Sequence, residues 1–110
     1  MSRNDEVRIR HILDAAREAV RFVQRRLKTD LDTDRQLNLS LVRLLEVIGE
    51  AARGISTEFR QAHSEVAWNK MIGMRDRLIH GYFDINLDVV WQTVTEDLPP
   101  LIAQLEKIVP

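Results

Sequence analysis

An all-α fold, most simply an up-and-down bundle of four to five helices, is what this sequence predicts, and three observations carry the prediction. Apolar residues recur at helical spacing along most of the chain, and no segment keeps up the period-two alternation of a half-buried strand. Ser, Thr, Asn, Gly and Pro fall where helices of ordinary length would begin and end. With 110 residues, 45% of them hydrophobic, the chain is expected to form one domain, residues 1–110, around a single core.

The first helix is expected from about Asn4 to Lys28. Ile9, Ile12, Leu13, Ala16, Ala19, Val20, Val23 and Leu27 make its core stripe, and Arg10, Arg17, Arg21, Arg25 and Lys28 lie opposite. A polar connection follows, and Thr33 with Gln36 three residues on forms a capping box for a second helix reaching about Phe59. That helix buries Leu37, Leu41, Leu44, Leu45, Ile48, Ala52, Ile55 and Phe59 and leaves Arg43, Glu46, Glu50 and Arg53 on its far side. Ser64 is the expected cap of a third helix ending near His80, where Gly81 stops it. Residues 83–87 read as a connection, Asn86 as the cap of a fourth helix through Val94, and Asp97 with Pro99 and Pro100 as the first turn of a fifth.

Composition removes several classes of function. Without cysteine there are no disulfides, thiolate metal sites or cysteine nucleophiles. His11, His63 and His80 are too scattered for a metal site to be expected, and no glycine-rich phosphate loop follows a strand. No cofactor is implied. Neither a signal peptide nor a membrane-spanning run is legible, so a cytoplasmic location is expected. The net charge of −1 gives no global attraction to nucleic acid, although residues 1–28 carry eight Lys/Arg against four Asp/Glu. That basic excess reads either as an interaction surface or as a solvated helix face in which Asp14 and Glu18 pair with the arginines.

One stretch resists explanation by packing. On a wheel of about 100° per residue, Trp68, Met71, Ile72, Met74, Leu78 and Ile79 share a broad apolar arc, with Arg75 in its middle. A cation there needs a partner, either Glu46 or Glu50 of the second helix or a phosphate held by its fork of donors. Asn69, Gly73, Asp76 and His80 form a second strip. His80, in the last helical turn with Asp76 one turn back, reads either as a histidine capping the helix or as a general acid or base tuned by that carboxylate. Arg75 and His80 are about 140° apart on a straight helix, which makes one protomer a poor active site. Gly73 removes a side chain where another backbone could approach. A twofold contact between third helices would then bring two Arg/His pairs into one cleft. Such a cleft suits RNA cleavage, because the ribose 2′-hydroxyl supplies the nucleophile and two histidines can serve as base and acid.

At these residues the chain resembles the HEPN superfamily, whose ribonucleases carry an arginine, four to six variable residues and a histidine, here Arg75-Asp-Arg-Leu-Ile-His80. The closer resemblance is to the HepT branch, the toxin half of HepT/MntA toxin–antitoxin pairs, whose motif extends to a tyrosine, here Tyr82. Glu46-Val-Ile-Gly-Glu-Ala-Ala52, Trp68, Met74-Arg75, His80-Gly-Tyr-Phe83 and Val90-Trp91 match in order over about residues 40–109. The resemblance implies a HEPN-like, homodimeric endoribonuclease with its site at the dimer interface and Arg75 and His80 as the matched catalytic positions. It also implies a cognate nucleotidyltransferase antitoxin, MntA-like, that neutralises the toxin by transferring AMP to Tyr82. The position after the arginine is often asparagine in the superfamily and is Asp76 here, a charge that would tune His80 while weakening phosphate affinity. Two other readings stand beside this one: a catalytically silent HEPN module that binds a nucleotidyltransferase and its nucleotide, and a plain helical dimerisation domain.

Overall fold

The computed structural model describes residues 1–81 and 84–109, and for His80 and Gly81 the backbone only. Helix α1 spans Arg3–Val23 and opens on Ser2, whose hydroxyl oxygen accepts from the Asp5 N–H. Ile9, Ile12, Leu13, Ala16, Ala19 and Val23 are buried as their spacing predicts. The helix stops short of Lys28 because Gln24 turns extended and Arg25 enters the left-handed region at φ 63°. Leu27, expected in the core stripe, is therefore 69% exposed.

The connection is held by Arg26, which pairs with Asp30 at 3.2 Å and Asp34 at 2.8 Å. A single turn, α2 (Asp30–Thr33), leads into α3 (Arg35–Arg53). The cap of α3 is Asp34 rather than Thr33. Its carboxylate accepts from the Leu37 N–H at 3.0 Å, and the Arg26 guanidinium and that N–H hold its pKa below the usual value. A charged acceptor at a helix N-terminus gains from the helix dipole, which the hydroxyl of Thr33 does not.

The second predicted helix is in fact two. Helix α3 ends at Arg53, and α4 (Thr57–Ala62) begins after Ser56, whose hydroxyl oxygen accepts from the Phe59 N–H. Asp5, only 4% exposed, accepts from the Ser56 N–H at 2.8 Å and the Ser56 hydroxyl at 2.7 Å. This carboxylate draws the corner between α3 and α4 onto the start of α1. Ile55 and Phe59 stay buried across the break.

The third predicted helix differs most. Ser64 lies in a turn, and α5 (Trp68–Ile72) follows Ala67, with the Trp68 indole N–H donating to the His63 carbonyl at 2.9 Å. Gly73 interrupts the helix, and α6 (Met74–Leu78) runs into an extended segment. Strand β1 (Ile79–Gly81) pairs antiparallel with β2 (Asp84–Ile85), Ile79 opposite Ile85 and Gly81 opposite Asp84. The expected end of the third helix and the connection after it thus form a small ribbon, too short for alternation to reveal. The Asn86 N–H, donating to the Leu78 carbonyl at 2.7 Å, ties the end of α6 to the next helix.

Asn86 caps α7 (Leu87–Gln92) as predicted, its side-chain oxygen accepting from the Val89 N–H. The fourth and fifth predicted helices are then continuous, joined by a π turn (Thr93–Asp97) that passes into α8 (Leu98–Glu106). Proline in a helix would clash with the carbonyl four residues back and cannot donate to it. Widening the turn ahead of Pro99 and Pro100 relieves that conflict without ending the helix.

The result is an all-α bundle apart from the ribbon, with eight α-helical segments among the described residues in place of four to five. Helix α1 packs on α3 and α8, and α3 carries α5 and α6 on its other flank. Ile9, Ile12, Leu41, Leu45, Ile48, Val90, Val94, Leu98 and Leu105 fill the centre. Among the described residues no helix is long and apolar enough to cross a membrane.

The buried carboxylate yields a prediction. Burial alone would raise the Asp5 pKa, but the N–H and O–H of Ser56, with Ser2 and Arg8, outweigh it and hold the group below its usual value of 3.8. Its stabilisation is present above that unfolded-state value and is lost as the pH falls through the lower folded pKa. Asp5→Asn is expected to flatten the loss of stability in acid. Asp5→Ala should lower the unfolding free energy at pH 7 by about 1.5–3 kcal/mol, the range for hydrogen bonds to a charged group. Urea denaturation across pH checks both.

Candidate functional site

The segment from Trp68 to Gly81 is positioned by one close approach. A Cβ placed on Gly49 of α3 would lie 2.8 Å from the Met71 carbonyl oxygen and 3.4 Å from the Met74 Cβ. Only glycine allows α5 and α6 to lie this near α3. A glycine inside a helix costs roughly 0.5–1 kcal/mol relative to alanine, so its placement between Ile48 and Glu50 was itself a legible signal of a close neighbour. Gly73, expected to admit a second copy, is a different case: it has φ −81°, and within the chain a Cβ there would meet only the Asn69 carbonyl oxygen, at 3.3 Å.

Where α5 gives way to α6, a cleft of about 440 Å³, counting the solvent it opens onto, is lined by Glu46, Gly49, Glu50, Arg53, Ile72 and Arg75. Arg75 is exposed rather than inserted in the apolar arc, although Trp68, Met71, Met74 and Leu78 are buried as that arc requires. The wheel misplaced the arginine because it assumed one straight helix, whereas the interruption at Gly73 separates the two parts of the stretch. Arg75 nevertheless shares its cleft with Glu46 and Glu50, the two carboxylates expected beside it. Arg53, unassigned by sequence, lies there too and extends its guanidinium to 3.5 Å from the Ile72 carbonyl.

Asp76 is exposed on α6, and His80 belongs to β1. His80 is therefore not in the last turn of a helix, and the strip Asn69, Gly73, Asp76 and His80 is not one helical face. Ile79 is extended at φ −118° and ψ 117°, so the 140° offset between Arg75 and His80 on one helix gives way to a helix-to-strand transition. The His80 side chain and Tyr82 lie outside the described residues.

The bundle thus carries an arginine exposed in a carboxylate-lined cleft and a histidine on the strand that follows. The model of the ribonuclease HepT-like family matches residues 12–108, and the chain belongs to that family. A protein of Thermococcus cleftensis named as a probable ribonuclease HepT is 35% identical over 108 residues, 98% of each chain. Two others, whose names propose an RNase, come from Caldanaerobacter subterraneus subsp. tengcongensis and Methanocaldococcus jannaschii. The first is 38% identical, covering 91% of this chain and 89% of its own, and the second 34% identical, covering 86% and 87%. No solved structure gives a significant match.

Gly49→Ala should test the geometry. The added methyl meets backbone rather than a flexible side chain, so destabilisation of about 1–3 kcal/mol is expected. Hydrogen exchange should quicken across α5 and α6 more than in α1; uniform protection would refute the close approach.

Proposed function

We propose that this chain is an endoribonuclease, the toxin of a HepT/MntA-type toxin–antitoxin pair, acting on cytoplasmic RNA without a metal ion. The observation that carries the reading is Arg75, exposed in a polar cleft one short helix before the strand that holds His80, within a chain of the ribonuclease HepT-like family. In the proposed reaction the ribose 2′-hydroxyl attacks the adjacent phosphorus, and one His80 takes its proton. The P–O5′ bond breaks, and the His80 of a second copy protonates the leaving 5′-oxygen. The products are a 2′,3′-cyclic phosphate and a 5′-hydroxyl.

Arg75 holds the non-bridging oxygens as charge builds. Glu50 supports the site by orienting that guanidinium from across the cleft, and Asp76, the residue after Arg75, is the second supporting carboxylate. Two copies meet about Gly73 in the proposed homodimer, which supplies both histidines to one cleft. Transfer of AMP to Tyr82 by the nucleotidyltransferase antitoxin would add bulk and negative charge beside the site and compete with RNA phosphate.

A second reading draws on Glu46, Glu50 and Asp76, three carboxylates near one phosphate-binding arginine. They favour a catalytically silent module that engages the nucleotidyltransferase and its nucleotide.

RNA cleavage by purified protein in EDTA, ending in 2′,3′-cyclic phosphate, is expected to fall by about 10²–10⁴ in His80→Ala and about 10²–10³ in Arg75→Ala. A dimer that binds RNA and never cuts it would leave the second reading. Gly73→Leu should weaken dimer and cleavage together; an unchanged sedimentation coefficient removes Gly73 from the interface. Tyr82→Phe should retain cleavage and refuse AMP.

A further inference from the structure

Across α6 from Arg75 lies a second, larger cleft, about 660 Å³ counting open solvent, between the α5–α6 segment and the π turn. Arg75 and Arg77 are about 200° apart on α6, so they serve opposite sides of it. Three polar groups meet in this cleft. Thr93 is fully buried, and its hydroxyl has no hydrogen-bond partner. Arg77 is half-buried, with its Nη1 enclosed and likewise unpartnered. Asp97, ion-paired through Oδ2 with the Lys70 ammonium at 3.2 Å, lines the same cleft. Leaving a buried donor or acceptor unmet is unfavourable, and native interiors rarely do so without a function or an occupant. The π turn contributes both Thr93 and Asp97, and such turns collect at functional sites.

The chemistry of the wall narrows the occupant. Glu65, Glu96 and Asp97 outnumber Lys70 and Arg77, which disfavours phosphate and other anions. Met71, Met74 and Leu98 supply apolar surface for a flat ring. The edge needs acceptors for Arg77, a group for the Thr93 hydroxyl and donors for Asp97. Guanine has O6 and N7 as acceptors, which arginine reads more often than any other base edge, and N1–H and N2–H as donors. Adenine would turn its N1 acceptor toward the carboxylate and be repelled.

We propose that this cleft is a guanine-binding pocket, with Arg77, Thr93 and Asp97 reading the base edge. That the guanine belongs to RNA held at Arg75 rests on the ribonuclease reading; the pocket itself does not.

Titration of the full chain with the four nucleosides, followed through the methyl signals of Met71, Met74 and Thr93, tests it. Guanosine is expected to bind at least tenfold tighter than adenosine, with inosine, which lacks N2, in between. Thr93→Val should lose at least tenfold in guanosine affinity; should that variant not fold, Arg77→Met on the rim is expected to lose the same. No shift with any nucleoside, equal affinity for all four, or shifts only at other methyl groups would overturn the pocket. Cleavage of oligonucleotides with guanosine or inosine flanking the cut separates the sources. A rate that falls with inosine assigns the base to RNA, and guanosine binding without any cleavage keeps the pocket while refuting the ribonuclease reading. Cleavage indifferent to the base, with guanosine still bound, makes the occupant a free nucleotide.

Discussion

The contact between Gly49 and the Met71 carbonyl determines where everything near the site can be. With 2.8 Å from a would-be Cβ to that oxygen, no side chain fits, and the α5–α6 segment lies directly on α3. That closeness puts Arg75 into one cleft with Glu46 and Glu50 and leaves Arg77 to the other side. Were α5 and α6 lifted by the thickness of a methyl group, the walls would separate and Arg75 would move away from Glu46 and Glu50. Met71 and Met74 are buried at the same junction, so core packing and site geometry depend on one glycine.

Polar groups rather than apolar ones set the corners of the bundle. Asp5 with Ser56, Arg26 with Asp30 and Asp34, and Trp68 with the His63 carbonyl each mark a point where a helix ends. Apolar burial is nondirectional and tolerates several continuations of a helix. A hydrogen bond with a fixed donor and acceptor does not. The framework is therefore a core of interchangeable aliphatic contacts cornered by a few directional ones, which is how short helices can present arginines at defined places.

Which residues are buried was largely legible, and where helices stop was not. Ile9, Ile12, Ile48, Ala52, Ile55 and Phe59 all follow the predicted stripes, because a core needs only the right side chains facing inward. The break at Gly54 depends on Asp5, which is 51 positions from Ser56 in the chain. No local pattern announces that bond. Leu27 and Arg75 were both placed inward by extending a helical wheel past a real end, and both are exposed. The motif residues themselves needed no wheel: Arg75 and His80 were named from their spacing and family likeness, and the structure redraws only the backbone between them.

The π turn before the prolines carries a consequence for the history of the chain. A π turn holds one more residue than the α-helix it interrupts. Loss of one residue between Thr93 and Asp97 would let an ordinary helix run through, leaving α7 and α8 in register with each other while narrowing the turn that holds Thr93 and Asp97 on their common wall. Relatives that shed that residue would keep the bundle, whose core on either side is aliphatic and forgiving, and lose the second cleft. A single-codon difference in length is thus enough to divide such proteins into those with two clefts flanking α6 and those with one.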